Sequence, residues 1–220
     1  MRIRRTLLQR ALGTLAAVPL CILGISCSSL TQPSPDKALF AIDPGKPPAT
    51  ATPPPATDPS TQPAAAVLQV HRLRVASPYD GLEFVYRTGA DQFQIDYYNG
   101  FVAPPDQMLS AALSNWIANT GLFKAVVDMG SGVPARLTLD GSIIALDGDY
   151  TSQSVPKAQM KLRVLLVENA AGRSLVIWQK EYDAATPISA GSPQELVNGW
   201  DRDLRSILGR VTADLAAQCR

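Results

Sequence analysis

Cys27 is the residue whose surroundings point most directly to chemistry. It closes the run Gly24, Ile25, Ser26, Cys27, after an apolar stretch from Ala11 to Ile25 and a start carrying Arg2, Arg4, Arg5 and Arg10. A basic start, a short apolar run and small residues at a cut are the marks of a secretory signal peptide. A cysteine at that cut is the acceptor of a thioether-linked diacylglycerol, after which cleavage leaves it as the first residue. Gly24 stands where such boxes usually carry leucine, and Cys21 fits less well because Pro19 and Leu20 precede it. The apolar run is shorter than the ~20 residues of a spanning helix. Arg4 and Arg5 also resemble a twin-arginine signal.

The remaining reactive types are sparse. His71 is the only histidine; it sits in an apparent strand beside Arg72 and Arg74, cations that oppose its protonation. Nothing in the sequence supplies the third group that would orient it as a base. Gly130, Ser131 and Gly132 read as a turn rather than a nucleophile elbow. Asp140, Asp147 and Asp149 lack the spacing of a calcium loop, and Asp147 to Asp149 reads as a hairpin turn. One histidine and one spare cysteine, Cys219, make no zinc shell and no disulfide framework. No phosphate-binding loop is present. No enzyme, cofactor or metal site is therefore expected.

The elements around these residues divide the chain into three. Residues 1–26 are the signal. Residues 27–66 begin with the lipidated cysteine and contain ten of the 18 prolines, mixed with Ala, Thr, Ser and Gln. Such a stretch favours extended polyproline geometry, and some 35 residues at ~3.1 Å each would reach ~110 Å as a tether. The apolar island Ala38 to Ile42 has two possible fates, docked on the head or merely following the anchor. Residues 67–220 are enough for one core. Removing the signal takes four arginines and no acid, so the formal net charge of +1 turns slightly negative. No basic stripe for nucleic acid remains.

Within the head, Val67 to Val75 predicts a strand with a phase change near Arg72. Glu83 to Arg87 and Gln92 to Tyr98 alternate at period two around a turn, as in a hairpin. Met108, Leu109, Ala112, Leu113, Trp116 and Ile117 recur at helical spacing, between Pro104 and Gly121. A short strand at Phe123 to Val127 is allowed. Arg136 to Leu146, Ala158 to Val167 and Ser174 to Tyr182 predict three long strands. Ser192, Pro193 and Glu195 form a capping box ahead of a helix with the stripe Leu196, Trp200, Leu204, Ile207, Leu208, Val211 and Leu215. The expected fold is α+β, a two-layer sandwich of a mostly antiparallel sheet with both helices on one face.

Val85 to Gly89, Tyr97 and Tyr98, Phe101, Pro104 and Pro105, Met108 and Leu109, and Gly121 to Phe123 together resemble the ABC-type transport auxiliary lipoproteins. The resemblance spans about Leu68 to Leu215. Phe101 departs from it, standing where tryptophan is expected. The resemblance implies a non-enzymatic component of a mammalian-cell-entry or paraquat-inducible type of lipid transport system. It would be anchored in the outer membrane, face the periplasm and bind a periplasmic substrate-binding protein; self-association is left open. Ser28 after the lipidated cysteine agrees with outer-membrane sorting. The alternative is a generic envelope lipoprotein that scaffolds a secretion or cell-wall assembly. Tyr97, Tyr98 and Phe101 are the expected partner contacts, because half-polar aromatics are favoured at interfaces. Strand alternation puts Tyr97 with Phe93 and Ile95 on one face and Tyr98 on the other, so one tyrosine should be core. The competing reading packs all these rings inside.

Overall fold

The computed structural model describes residues 36–48, 66–152, 154–170, 172–189 and 192–218. Cys27, the rest of residues 1–35, residues 49–65 and Cys219 lie outside the described residues.

The hairpin appears where alternation placed it, as β4 (Glu83–Arg87) and β5 (Phe93–Phe101), closed by Thr88 N donating to Gln92 O at 2.9 Å. The strand from Val67 breaks at its phase change into β2 (Val67–Val70) and β3 (Arg74–Val75). Helix α1 (Pro105–Ala118) begins on its proline, and Gly121, at φ 69°, turns the chain after it. The short strand is β6 (Ala125–Asp128). The long strands exceed their predicted lengths: β7 (Leu137–Asp149), β8 (Lys157–Ala170) and β9 (Arg173–Pro187). With β1 (Ala38–Phe40), nine strands form one sheet.

That sheet corrects the expectation of a mostly antiparallel arrangement: it is mixed. β7 pairs antiparallel with β8, and β8 with β9. Its other edge is shared by β2, β3 and β4, all parallel to it. The cause is connectivity. None of these three strands is joined to β7 by a tight turn; each reaches it across a long stretch of chain, as parallel pairing requires. β6 pairs parallel with β2, and β1 parallel with β5. Asp147, Gly148 and Asp149 are also not a turn. They continue β7 in register with Gln159, Ala158 and Lys157, because Arg87 from β4 meets the carboxylates that made the segment look solvent-bound.

Helix α2 (Pro193–Gln218) starts on the expected cap, with Glu195 N donating to Ser192 Oγ at 3.4 Å. Every residue of its predicted stripe is buried. Gly199 lets it lie directly on β8, since a Cβ there would run into that of Ala158. Trp200, fully buried, packs on Phe84 at 5.0 Å and Phe101 at 5.4 Å, and donates Nε1 to Asp147 O at 3.2 Å. Trp116 of α1 donates Nε1 to Thr212 Oγ1 of α2 at 3.1 Å, and both helices feed one hydrophobic core. Among the described residues no helix is long and apolar enough to cross a membrane.

The folded unit also takes in residues ahead of Val67. β1 lies beside Asn99 to Phe101, and Phe40 packs on Phe84 at 5.5 Å. Ile42 is 6% exposed. Asp43 N donates to Asp201 Oδ1 at 2.7 Å, and Arg205 Nε donates to Pro44 O at 2.6 Å. The apolar island is thus docked. Burying a side chain such as Ile42 contributes ~1.5–3 kcal/mol, and each hydrogen bond ~0.5–1.5 kcal/mol.

Candidate functional site

The β4–β5 hairpin carries an irregularity that decides the fate of its tyrosines. Val85 is opposite Ile95 and Glu83 is opposite Gly100, so the single residue Phe84 faces four, Asp96 to Asn99. The surplus bulges out of the ladder with β4, as extra residues must when one strand outruns its partner, while Asn99 pairs with Ala38 of β1. Gly100 closes it, because a Cβ there would stand 2.7 Å from Leu82 O.

Asp96 pins the bulge from within. Its carboxylate accepts from Tyr86 Oη at 2.6 Å, Tyr98 N at 2.8 Å, Asn99 N at 3.1 Å and Asn99 Nδ2 at 2.9 Å. Burial pushes this carboxyl up, but the donors from Tyr86, Asn99 and the backbone outweigh it and hold it below the usual aspartate value. The Tyr86 hydroxyl is driven up in turn, by burial first and then by its bond to Asp96. Hydrogen bonds to the charged form of an acid act in this way.

Tyr97 is 82% exposed and Tyr98 55% exposed, and among the described residues neither side chain has a hydrogen-bond or ring partner. Both are therefore presented, contrary to the expectation that one is core. Phe101 is the correction: after the bulge the chain re-enters the sheet in the opposite phase, and Phe101, 2% exposed, stacks on Phe84 at 4.8 Å. It belongs to the core and is not available to a partner. Phe93 and Ile95 are exposed on the face of Val85, and Leu39 of β1 is exposed beside Gly100.

Beneath Phe93 lies Tyr79, in edge contact at 6.3 Å, and beneath that a buried charged group. Asp147 is 1% exposed; its Oδ2 is 3.8 Å from Arg87 Nε, and neither atom has a hydrogen-bond partner. Arg87 Nη2 donates instead to Asp149 Oδ2 at 2.7 Å and Gln159 Oε1 at 3.1 Å. Burial pushes Asp147 up to about 6, against the pull of Arg87. Tyr79 rises to about 12, through burial and then the Asp147 charge.

The other residues considered for chemistry are scattered. His71 Nδ1 lies 4.0 Å from Asp140 Oδ2, on the rim of a hollow of about 320 Å³ shared with Arg72 and Met129. Ser131 sits in a short 3₁₀ turn (Met129–Ser131), its Oγ accepting from Val133 N at 3.3 Å. Among the described residues no cluster of three or more His, Cys, Asp or Glu side chains could hold a metal ion. Sequence reasoning missed the other exposed apolar surface, Leu175, Val176 and Ile177, at the start of β9, whose outer edge is unpaired among the described residues. The apolar run Leu175 to Trp178 was the available signal.

The model of one protein family, described as the ABC-type transport auxiliary lipoprotein component, matches residues 50–216. The chain belongs to that family. Two solved structures share the architecture above. The structure is similar to protein XCC0632 from Xanthomonas campestris, with 18% identity over 79% of this chain and 94% of that one and a TM-score of 0.65. A second similar structure, an uncharacterized protein, shows 15% identity over 82% and 99% of the two chains at a TM-score of 0.59. At such identity the likeness concerns the fold alone. No curated protein matches the sequence. Family membership makes the chain a transport auxiliary component of the cell envelope, and the family is not one of known enzymes.

Proposed function

We propose that this protein is the non-enzymatic, lipid-anchored auxiliary component of a mammalian-cell-entry type of ABC lipid transport system. In this reading Cys27 carries the lipid, the outer membrane holds it, and the head faces the periplasm. There it binds the system's periplasmic substrate-binding protein through the bulge bearing Tyr97 and Tyr98. The observation that carries this reading is that bulge. Two adjacent tyrosines stand exposed while a carboxylate with four donors fixes the backbone beneath them. Pre-ordering a contact residue lowers the entropy lost on binding, and tyrosine is among the residues that dominate interfaces.

The test is the affinity of the lipoprotein for its substrate-binding partner, with Tyr97→Ala and Tyr98→Ala. Neither ring is packed in the core, so both variants should melt with the parent. Loss of a contact worth ~2 kcal/mol weakens binding roughly 30-fold. Undiminished binding by both folded variants removes the bulge from the interface. Co-purification with a secretion or cell-wall assembly instead would replace the transport reading altogether.

A further inference from the structure

The docking of β1 moves the point at which the folded head begins. Lys37 Nζ is 2.9 Å from Glu83 Oε1, Ala38 is in register with Asn99, and Val102 N donates to Phe40 O at 2.8 Å. The attachment continues through Ile42, through Asp43 on Asp201, and through Pro44 on Arg205 of α2. A segment held at β5, β4 and α2 is part of the body and adds nothing to the reach of an anchor ahead of it.

Half of the ten prolines of residues 27–66 come after Pro48, beyond this attachment. Residues 49–65 join Pro48 to Ala66, whose carbonyl accepts from Lys124 N at 3.1 Å, so both flanks of the segment belong to the same body. Residues ahead of Asp36 are the only ones left to span from Cys27 to the head. Those nine peptide units reach about 30 Å when fully extended, at ~3.3–3.6 Å each. The leader enters where β1 starts, beside Asn99 and so directly after Tyr97 and Tyr98.

We infer that only the residues between Cys27 and Asp36 space the lipid from the head, and that the Tyr97–Tyr98 bulge works at the membrane surface. The chain between Pro48 and Ala66, whose two ends belong to one body, adds nothing to that spacing. The partner it fits is one that reaches down to within about 30 Å of the bilayer. This rests on Cys27 being the lipidated residue and on the bulge being the docking surface.

The experiment measures the height of the head above a supported bilayer by neutron reflectometry, using the full lipidated chain. An insert of about 20 Gly and Ser residues spans about 25 Å root-mean-square. Placed after Ser29 it should raise the head by about that distance; placed between Pro54 and Pro55 it should leave the height unchanged. A rise with the second insert, or none with the first, overturns the inference. So does a parent protein that takes up no palmitate, or a Cys27→Ala variant that still does. Head height does not depend on Tyr97 or Tyr98, so failure of the bulge as a docking surface shows only in the affinity measurement. If the parent's partner affinity stays intact with the head raised free of the membrane, the bulge does not require the bilayer surface, and that part of the inference falls.

Discussion

Replacing Asp147 by asparagine should stabilise the protein at neutral pH and remove part of its pH dependence. Asp147 is enclosed between Tyr79, Arg87 and β7, and its carboxyl is raised from 3.8 to about 6, chiefly by burial. At 1.36 kcal/mol per pH unit this amounts to about 3 kcal/mol. Below pH 4 both the folded and the unfolded chain hold the proton, so nothing is lost. As pH climbs from 4 towards 6 the unfolded chain releases its proton first, and stability falls; above 6 the whole cost is in place. Asparagine keeps the shape and an acceptor near Arg87, whose Nη2 retains Asp149 and Gln159. Urea melts from pH 4 to 7.5 should show parent and Asp147→Asn equal at the acid end and separated by up to ~3 kcal/mol at the other. In a chain of this size that is roughly 6–12 °C in Tm. Asp203, also pushed up to about 6 by burial, will leave the variant a residual slope of the same sign. A variant that is less stable at pH 7.5, or two parallel pH profiles, would refute the reasoning and show that Arg87 needs this negative charge.

Phe101→Ala should cost ~3–5 kcal/mol in denaturant melts, because it empties a site between Phe84 and Trp200, whereas Tyr98→Ala should change stability by less than ~0.5 kcal/mol. Deleting residues 1–48 should lower stability by several kcal/mol relative to a chain starting at Asp36, through loss of the Ile42 and Phe40 contacts and the bonds to Asp201 and Arg205. Equal melting of those two chains would show that β1 is dispensable.

Local patterns were legible where short-range physics governs them. The Ser192 cap, both helical stripes, the β4–β5 hairpin and the break near Arg72 all follow from residues within a few positions of one another. The misreadings arose where distant residues intervened. Asp147, Gly148 and Asp149 have turn composition, and only Arg87, from another strand, makes them compatible with a sheet interior. Alternation along an unbroken strand puts one of Tyr97 and Tyr98 in the core, but four residues opposite Phe84 leave both exposed and reset the phase before Phe101. Parallel pairing of β2, β3 and β4 with β7 leaves no local trace, since side-chain alternation is the same in either direction. Prolines on both sides concealed the docked island.

The shared edge of β7 also sets an order of events in time. Leu68 meets Leu137, Arg74 meets Ser142 and Tyr86 meets Gly148. Each pairing joins positions some sixty to seventy residues apart, so β2, β3 and β4 have no common neighbour until the middle of the chain has arrived. Closing such distances costs entropy before any contact offsets it, and chains dominated by distant pairings fold slowly. A polypeptide emerging from a narrow channel would therefore stay open until more than half of it is through, and would then gain three strands' worth of pairing nearly at once. If the chain is exported unfolded, as a general secretory signal would direct, that delay is useful.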